Sequence, residues 1–129
     1  MRFMMMVSAT KDSEAGKMPP QELMERIGKD AERLMKEGVM LMSAGLAPTS
    51  AASKVEARGG KLTVTDGPFA EATETIGGFA IIEAKDKAEA VEHGRRFMQI
   101  HIEVLGPGYT GAVTVRPLFS ADQMGPPKR

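Results

Sequence analysis

Thr65-Asp66-Gly67-Pro68-Phe69-Ala70-Glu71-Ala72-Thr73-Glu74, followed within a few residues by Gly77-Gly78-Phe79-Ala80-Ile81-Ile82, is the stretch on which the fold turns. Asp-Gly-Pro cannot continue a strand or a helix. Glycine opens the positive half of backbone space, proline removes a donor, and the residue before a proline is driven extended. Before this break, Leu62 and Val64 alternate with Lys61, Thr63 and Thr65, and Val55 and Ala57 alternate with Lys54, Glu56 and Arg58. Gly59-Gly60 joins the two runs, which reads as a β-hairpin. After the break, Phe79 to Ile82 is an apolar strand.

Outward from this centre the chain divides regularly. Phe3 to Val7 is a continuous apolar run of strand length, and Ser8 to Pro20 is a polar loop. From Gln21, residues Leu23, Met24, Ile27, Ala31, Leu34 and Met35 recur at helical spacing opposite a charged face, with Gly38 at the exit. Val39 to Met42 reads as a second strand and Gly45 to Ser53 as a loop of small residues. Asp86 is a helix cap, with Glu89 placed to reach back. Ala88, Val91, Met98, Ile102 and Leu105 mark the expected buried stripe of a second long helix, with Gly94 close to that face, ended by Gly106-Pro107-Gly108. Tyr109 to Ala112 is a loop, and Val113, Val115 and Leu118 form a last strand. Residues 1–119 make one domain and 120–129 a flexible tail.

Set apart from the hairpin, the order is strand, helix, strand, strand, helix, strand. This is the α+β, ferredoxin-like βαββαβ pattern with an inserted hairpin, in which two helices cover one face of the sheet. The strands at Phe3, Val39 and Phe79 are apolar on both faces, although two helices cover only one. A second copy of the chain is the simplest cover for the other face, so a homodimer with its sheets face to face is expected.

Composition narrows the function. The chain has 129 residues, and 17 basic side chains balance 17 acidic ones. Nothing draws it over long range to nucleic acid or an anionic membrane. It has no cysteine, which excludes disulfides and thiolate chemistry. The apolar runs are too short to cross a bilayer, and the opening Met1 to Val7 reads as a strand rather than a signal peptide. A cytoplasmic protein is expected. No phosphate-binding loop, dinucleotide fingerprint or metal-spaced histidine pair occurs, so neither a cofactor nor a metal is expected. Eleven methionines are read as core residues that fill irregular gaps.

The candidate chemistry lies at a few polar positions. Asp66 is either a general base or substrate-orienting acceptor near Phe69, or the acceptor that stabilises its own turn. Glu71 and Glu74 share a face if their segment is helical and are otherwise solvated. His93 and His101 stand eight residues apart on one helix, about 12 Å, too far to bind one metal. His101 borders the buried stripe and is the functional candidate, against the alternative of a hydrogen-bonded boundary histidine. Arg116, on the last strand, either holds a ligand oxygen or bridges to Asp66 or Glu71. Tyr109 stands where it can close the same pocket.

Thr65-Asp66-Gly67-Pro68-Phe69-Ala70-Glu71, with Glu74, Gly77-Gly78-Phe79 and the ending Val113-Thr114-Val115-Arg116-Pro117-Leu118, resembles the DGPF proteins within the YCII-related family. The likeness runs from about Met1 to Phe119. It implies a dimeric α+β barrel of ferredoxin-like units. Simpler relatives carry a histidine in the first helix and an aspartate near its end, proposed as an acid–base pair; here Ile27 and Lys36 occupy those places. A related member removes chloride from a chlorinated hydroquinone, and DGPF proteins are often encoded beside, or fused to, alternative sigma factors. Two functions follow as expectations. One is a small-molecule pocket near the Asp66 turn, with a cofactor-independent lyase or isomerase step in which Asp66 moves a proton and His101 and Arg116 stabilise negative charge. The other is a non-catalytic ligand sensor or accessory protein acting with a transcription regulator.

Overall fold

The computed structural model describes residues 1–69 and 75–120. Its elements are β1 (Arg2–Ser8), α1 (Lys11–Glu14), α2 (Gln21–Lys36), β2 (Met40–Gly45), β3 (Ser53–Arg58), β4 (Lys61–Asp66), β5 (Ile76–Glu83), α3 (Lys87–Leu105) and β6 (Val113–Pro117). A 3-10 turn at Thr49–Ala51 lies between β2 and β3. Among the described residues, four strands form an antiparallel sheet in the order β2-β5-β1-β6, while β3 and β4 pair only with each other. This is the ferredoxin-like α+β arrangement with the hairpin set outside its sheet.

The local signals explain the element ends. At the C-terminus of α2, the Val39 N–H donates to the Leu34 carbonyl and the Gly38 N–H to the Met35 carbonyl, with Gly38 at φ 76°. That is a Schellman motif, which requires the positive φ that glycine supplies. At the start of α3 the Glu89 N–H donates to the Asp86 carboxylate, and the Glu89 carboxylate accepts from the Lys85 N–H. The cap therefore closes in both directions, as Asp86 and Glu89 suggest in the sequence. The tip of the hairpin has positive φ at both Gly59 and Gly60, as a two-residue turn matched to strand twist requires.

The core lies between the sheet and α2 and α3. Phe3, Met5, Met40, Ala80 and Ile82 from the sheet meet Leu34 and Ala90, with Ala31 and Phe97 packed alongside. In cross-strand register, Phe3 pairs with Ile82, which pairs with Met40 on its other side. Phe3 and Ile82 are the largest side chains wholly removed from solvent. Each contributes roughly 1.5–3 kcal/mol of burial.

Two sequence expectations are corrected here. Most methionines do not fill the core. Met5 and Met40 are buried, whereas Met18, Met24, Met35 and Met42 are exposed. The cause is geometric: Met24 and Met35 lie on the rim of α2, and Met42 faces away from the helices. The inner stripe of α3 is also rotated from the expected one. Ala90, Gly94 and His101 are its buried residues, while Val91 and Ile102 are exposed and so is Ala88. Gly94 sets this rotation, because a Cβ there would lie 3.2 Å from Val115 and 3.3 Å from Val113. The glycine lets α3 rest closely on β6. The polar loop before α2 also contains the short helix α1, capped reciprocally by Thr10 and Ser13.

The sheet face opposite the helices carries Met4, Met6, Phe79 and Ile81, all half-buried, with Met42 and Arg116 exposed beside them. Among the described residues, no helix is long and apolar enough to cross a membrane.

Candidate functional site

A cleft of about 1210 Å³ opens between the sheet and the helices. Its cause can be read in the cross-strand rows of the inner face. The row Phe3, Ile82, Met40 is fully occupied. The next, Met5, Ala80, Ser43, is smaller, and the last, Val7, Gly78, Gly45, has almost no side chain. Glycine within a strand leaves room for something to approach the backbone. The helices meet the sheet where its side chains are large and leave space where they shrink. The mouth is bordered by α1 and the segment after it, including Lys11, Lys17 and Met18.

His101 is a buried polar group on the wall of the cleft. It is 7% exposed, deeper than a boundary residue. Its Nδ1 lies 2.9 Å from the Phe97 carbonyl oxygen. A carbonyl only accepts, so Nδ1 carries the hydrogen, and in the neutral ring Nε2 is then an open acceptor. Phe97 packs at 4.7 Å between ring centroids, and Tyr109 stacks on the imidazole at 5.2 Å. The two rings hold the imidazole in place on the cleft wall. Burial pushes the Tyr109 phenol above its ordinary value, so at neutral pH it keeps its proton and can donate.

Of the six site residues expected from sequence, His101 and Tyr109 line this cleft together. Asp66, Phe69 and Arg116 stand elsewhere. Asp66 is exposed at the end of β4 and accepts a 2.6 Å hydrogen bond from the Ser53 hydroxyl across the hairpin. Phe69 receives the Lys54 ammonium 4.7 Å over its ring. Arg116 pairs in register with Met4, is exposed, and forms no ion pair among the described residues. Glu71, with Glu74, lies outside the described residues. Ser43, Gly45 and Gly78 were not singled out as cleft residues from sequence; the usable signal was glycine inside two strands rather than beside them.

The Asp66 turn is nevertheless tied to the mouth of the cleft. The Gly67 N–H donates to the Ala52 carbonyl at 2.8 Å. The peptide between Gly67 and Pro68 is cis. A Cβ on Gly67 would run into the Thr49 carbonyl, so only glycine fits. The buried Thr49 hydroxyl accepts from the Phe69 N–H at 3.4 Å and donates to the Glu14 carboxylate at 2.6 Å. The Thr49 N–H donates to the other Glu14 oxygen at 3.1 Å. Glu14 ends α1, whose residues border the mouth. Thr49 thus joins the turn, through the Phe69 N–H, to the rim helix, through two charge-assisted bonds to Glu14 that are stronger than neutral pairs. Among the described residues, no cluster of His, Asp or Glu is placed to hold a metal ion.

Two comparisons with known proteins give matches. An uncharacterized protein of Rhizobium meliloti (strain 1021) is 32% identical over 98 residues, covering 73% of this chain and 74% of its own. The family model of the YCII-related domain matches residues 1–100, a span that holds β1 through β5, most of α3 and the greater part of the cleft lining. The chain belongs to the YCII-related domain family.

Proposed function

We propose that this protein binds a small molecule in the cleft between the sheet and the helices, with His101 and Tyr109 as its polar contacts. The observation that carries this reading is a buried imidazole, fixed by Phe97 and Tyr109, on the wall of a cleft hollowed by the Val7, Gly78, Gly45 row. Mostly apolar pockets with a few fixed polar groups are the usual form of small-molecule sites. In the neutral ring, Nε2 is suited to accept a proton and the Tyr109 phenol to donate one. This is the equipment of a cofactor-independent lyase or isomerase step. The DGPF-like turn supports the rim of the cleft through Thr49 and Glu14.

The active unit in this reading is a homodimer. Met4, Met6, Phe79 and Ile81 on the outer sheet face favour a second copy as cover. Sedimentation at micromolar concentration is expected to give twice the chain mass; a single-chain mass refutes the dimer.

A thermal-shift screen of metabolites against the native protein, His101→Ala and Asp66→Asn tests the site. A ligand that raises the native midpoint is expected to lose most of its effect on His101→Ala and to keep it on Asp66→Asn. The reverse pattern moves the site to the turn. Turnover of the hit separates an enzyme from a ligand sensor acting with a transcription regulator, for which binding without reaction is the expected result.

A further inference from the structure

The structure assigns a chemical class to the ligand of this cleft: a largely apolar molecule bearing an N–H or O–H that donates to His101 Nε2. This inference rests on the cleft reading above and adds what the ligand must offer. The imidazole has three ways to interact, and two are already taken. Tyr109 stacks on one face while Phe97 packs against the ring at a tilt, and its Nδ1–H is committed to the Phe97 carbonyl. Nε2 has no protein partner among the described residues. It is also not sealed from solvent, because among the described residues no buried side-chain nitrogen or oxygen lacks a hydrogen bond. His101 lines the cleft, and in this assignment its open acceptor is turned to whatever enters there.

A ligand that displaces water from Nε2 must replace the hydrogen bond that water gave or leave a polar atom unpaired. The cleft as a whole is lined mostly by apolar surface, with Met5, Leu23, Ile27, Phe97 and Leu105 contributing, and its charged residues include Lys11, Asp12 and Lys17. The complementary molecule is therefore greasy over most of its surface and carries a donor at one edge. Ser43, on the inner row of β2, offers a hydroxyl from the facing wall for a second polar group.

Indole and benzofuran test this directly, because they share a two-ring frame and only indole has an N–H. In calorimetric titration of the native protein, indole is expected to bind at least about tenfold more tightly than benzofuran. In His101→Phe, which keeps an aromatic ring and removes the acceptor, the two affinities are expected to converge near the native benzofuran value. Equal affinities in the native protein overturn the donor inference while leaving the cleft reading intact. A preference for indole that persists in His101→Phe also overturns it. Failure of both compounds to bind at millimolar concentration overturns the cleft reading itself. The native ratio needs no variant. The chain has two histidines, so the Nε2 nitrogen resonance of His101 can be followed on adding indole, and a resonance that does not move refutes the contact.

Discussion

Phe3→Ala is expected to lower the unfolding free energy by about 3–5 kcal/mol, a loss measurable as a shift of the urea midpoint at unchanged slope. Phe3 is 1% exposed on the central strand β1, with Ile82 opposite it on β5 and Pro117 opposite it on β6. Its removal takes away the burial of an aromatic ring. It also opens a hole in the one cross-strand row that is fully occupied, where neighbours on two strands are pinned by the ladder and cannot collapse inward. Domains of this size are stable by only about 5–15 kcal/mol, so the variant is expected to be partly unfolded at moderate temperature. A change below about 1 kcal/mol would show that this row is not the packed centre of the molecule.

Gly67→Ala is the second large effect, and it arises without any loss of buried area. The added methyl would overlap the Thr49 carbonyl. Relief requires moving backbone that is itself held by the bond from the Gly67 N–H to Ala52 and by the bonds from Thr49 to Glu14. Overpacking of this kind costs about 1–3 kcal/mol, and backbone-to-side-chain overlap places this case at the upper end. Gly28→Ala is the control. It sits inside α2 with open space around its Cβ position, and alanine there is expected to stabilise by about 0.5–1 kcal/mol. Opposite signs for the two glycines are the expected result of equilibrium unfolding. A Gly67→Ala protein as stable as the native one would mean that the turn does not lie against Thr49.

Much of the fold was legible because its signals are local. The apolar runs of β1 and β5, the helical spacing from Leu23 to Leu34, Gly38 at a helix end and Gly59-Gly60 at a hairpin tip each report a backbone requirement within a few residues. The inner face of α3 was misread because its spacing admits two neighbouring stripes. The choice between them is made by Val113 and Val115 against Gly94, which are distant in sequence. The methionines misled for a related reason, since their composition carries no record of which side of an element they occupy. In the candidate site, His101 and Tyr109 stood out by type and by their place near the end of α3. The hollow that gives them meaning was less legible. It is made by absent side chains at Gly45 and Gly78, and it emerges only when three strands are set side by side in register.

The shared hydrogen bonding at Thr49 also determines where this chain can lengthen. Thr49 must present its hydroxyl and its N–H to Glu14 while meeting Phe69, so one residue added between β2 and β3 would swing it out of reach of both. The tip at Gly59 and Gly60 has no such obligation: its glycines have open space around them, and among the described residues β3 and β4 pair only with each other. A peptide tag or reporter loop grafted there would extend a free ribbon, leaving the rim of the cleft as it was.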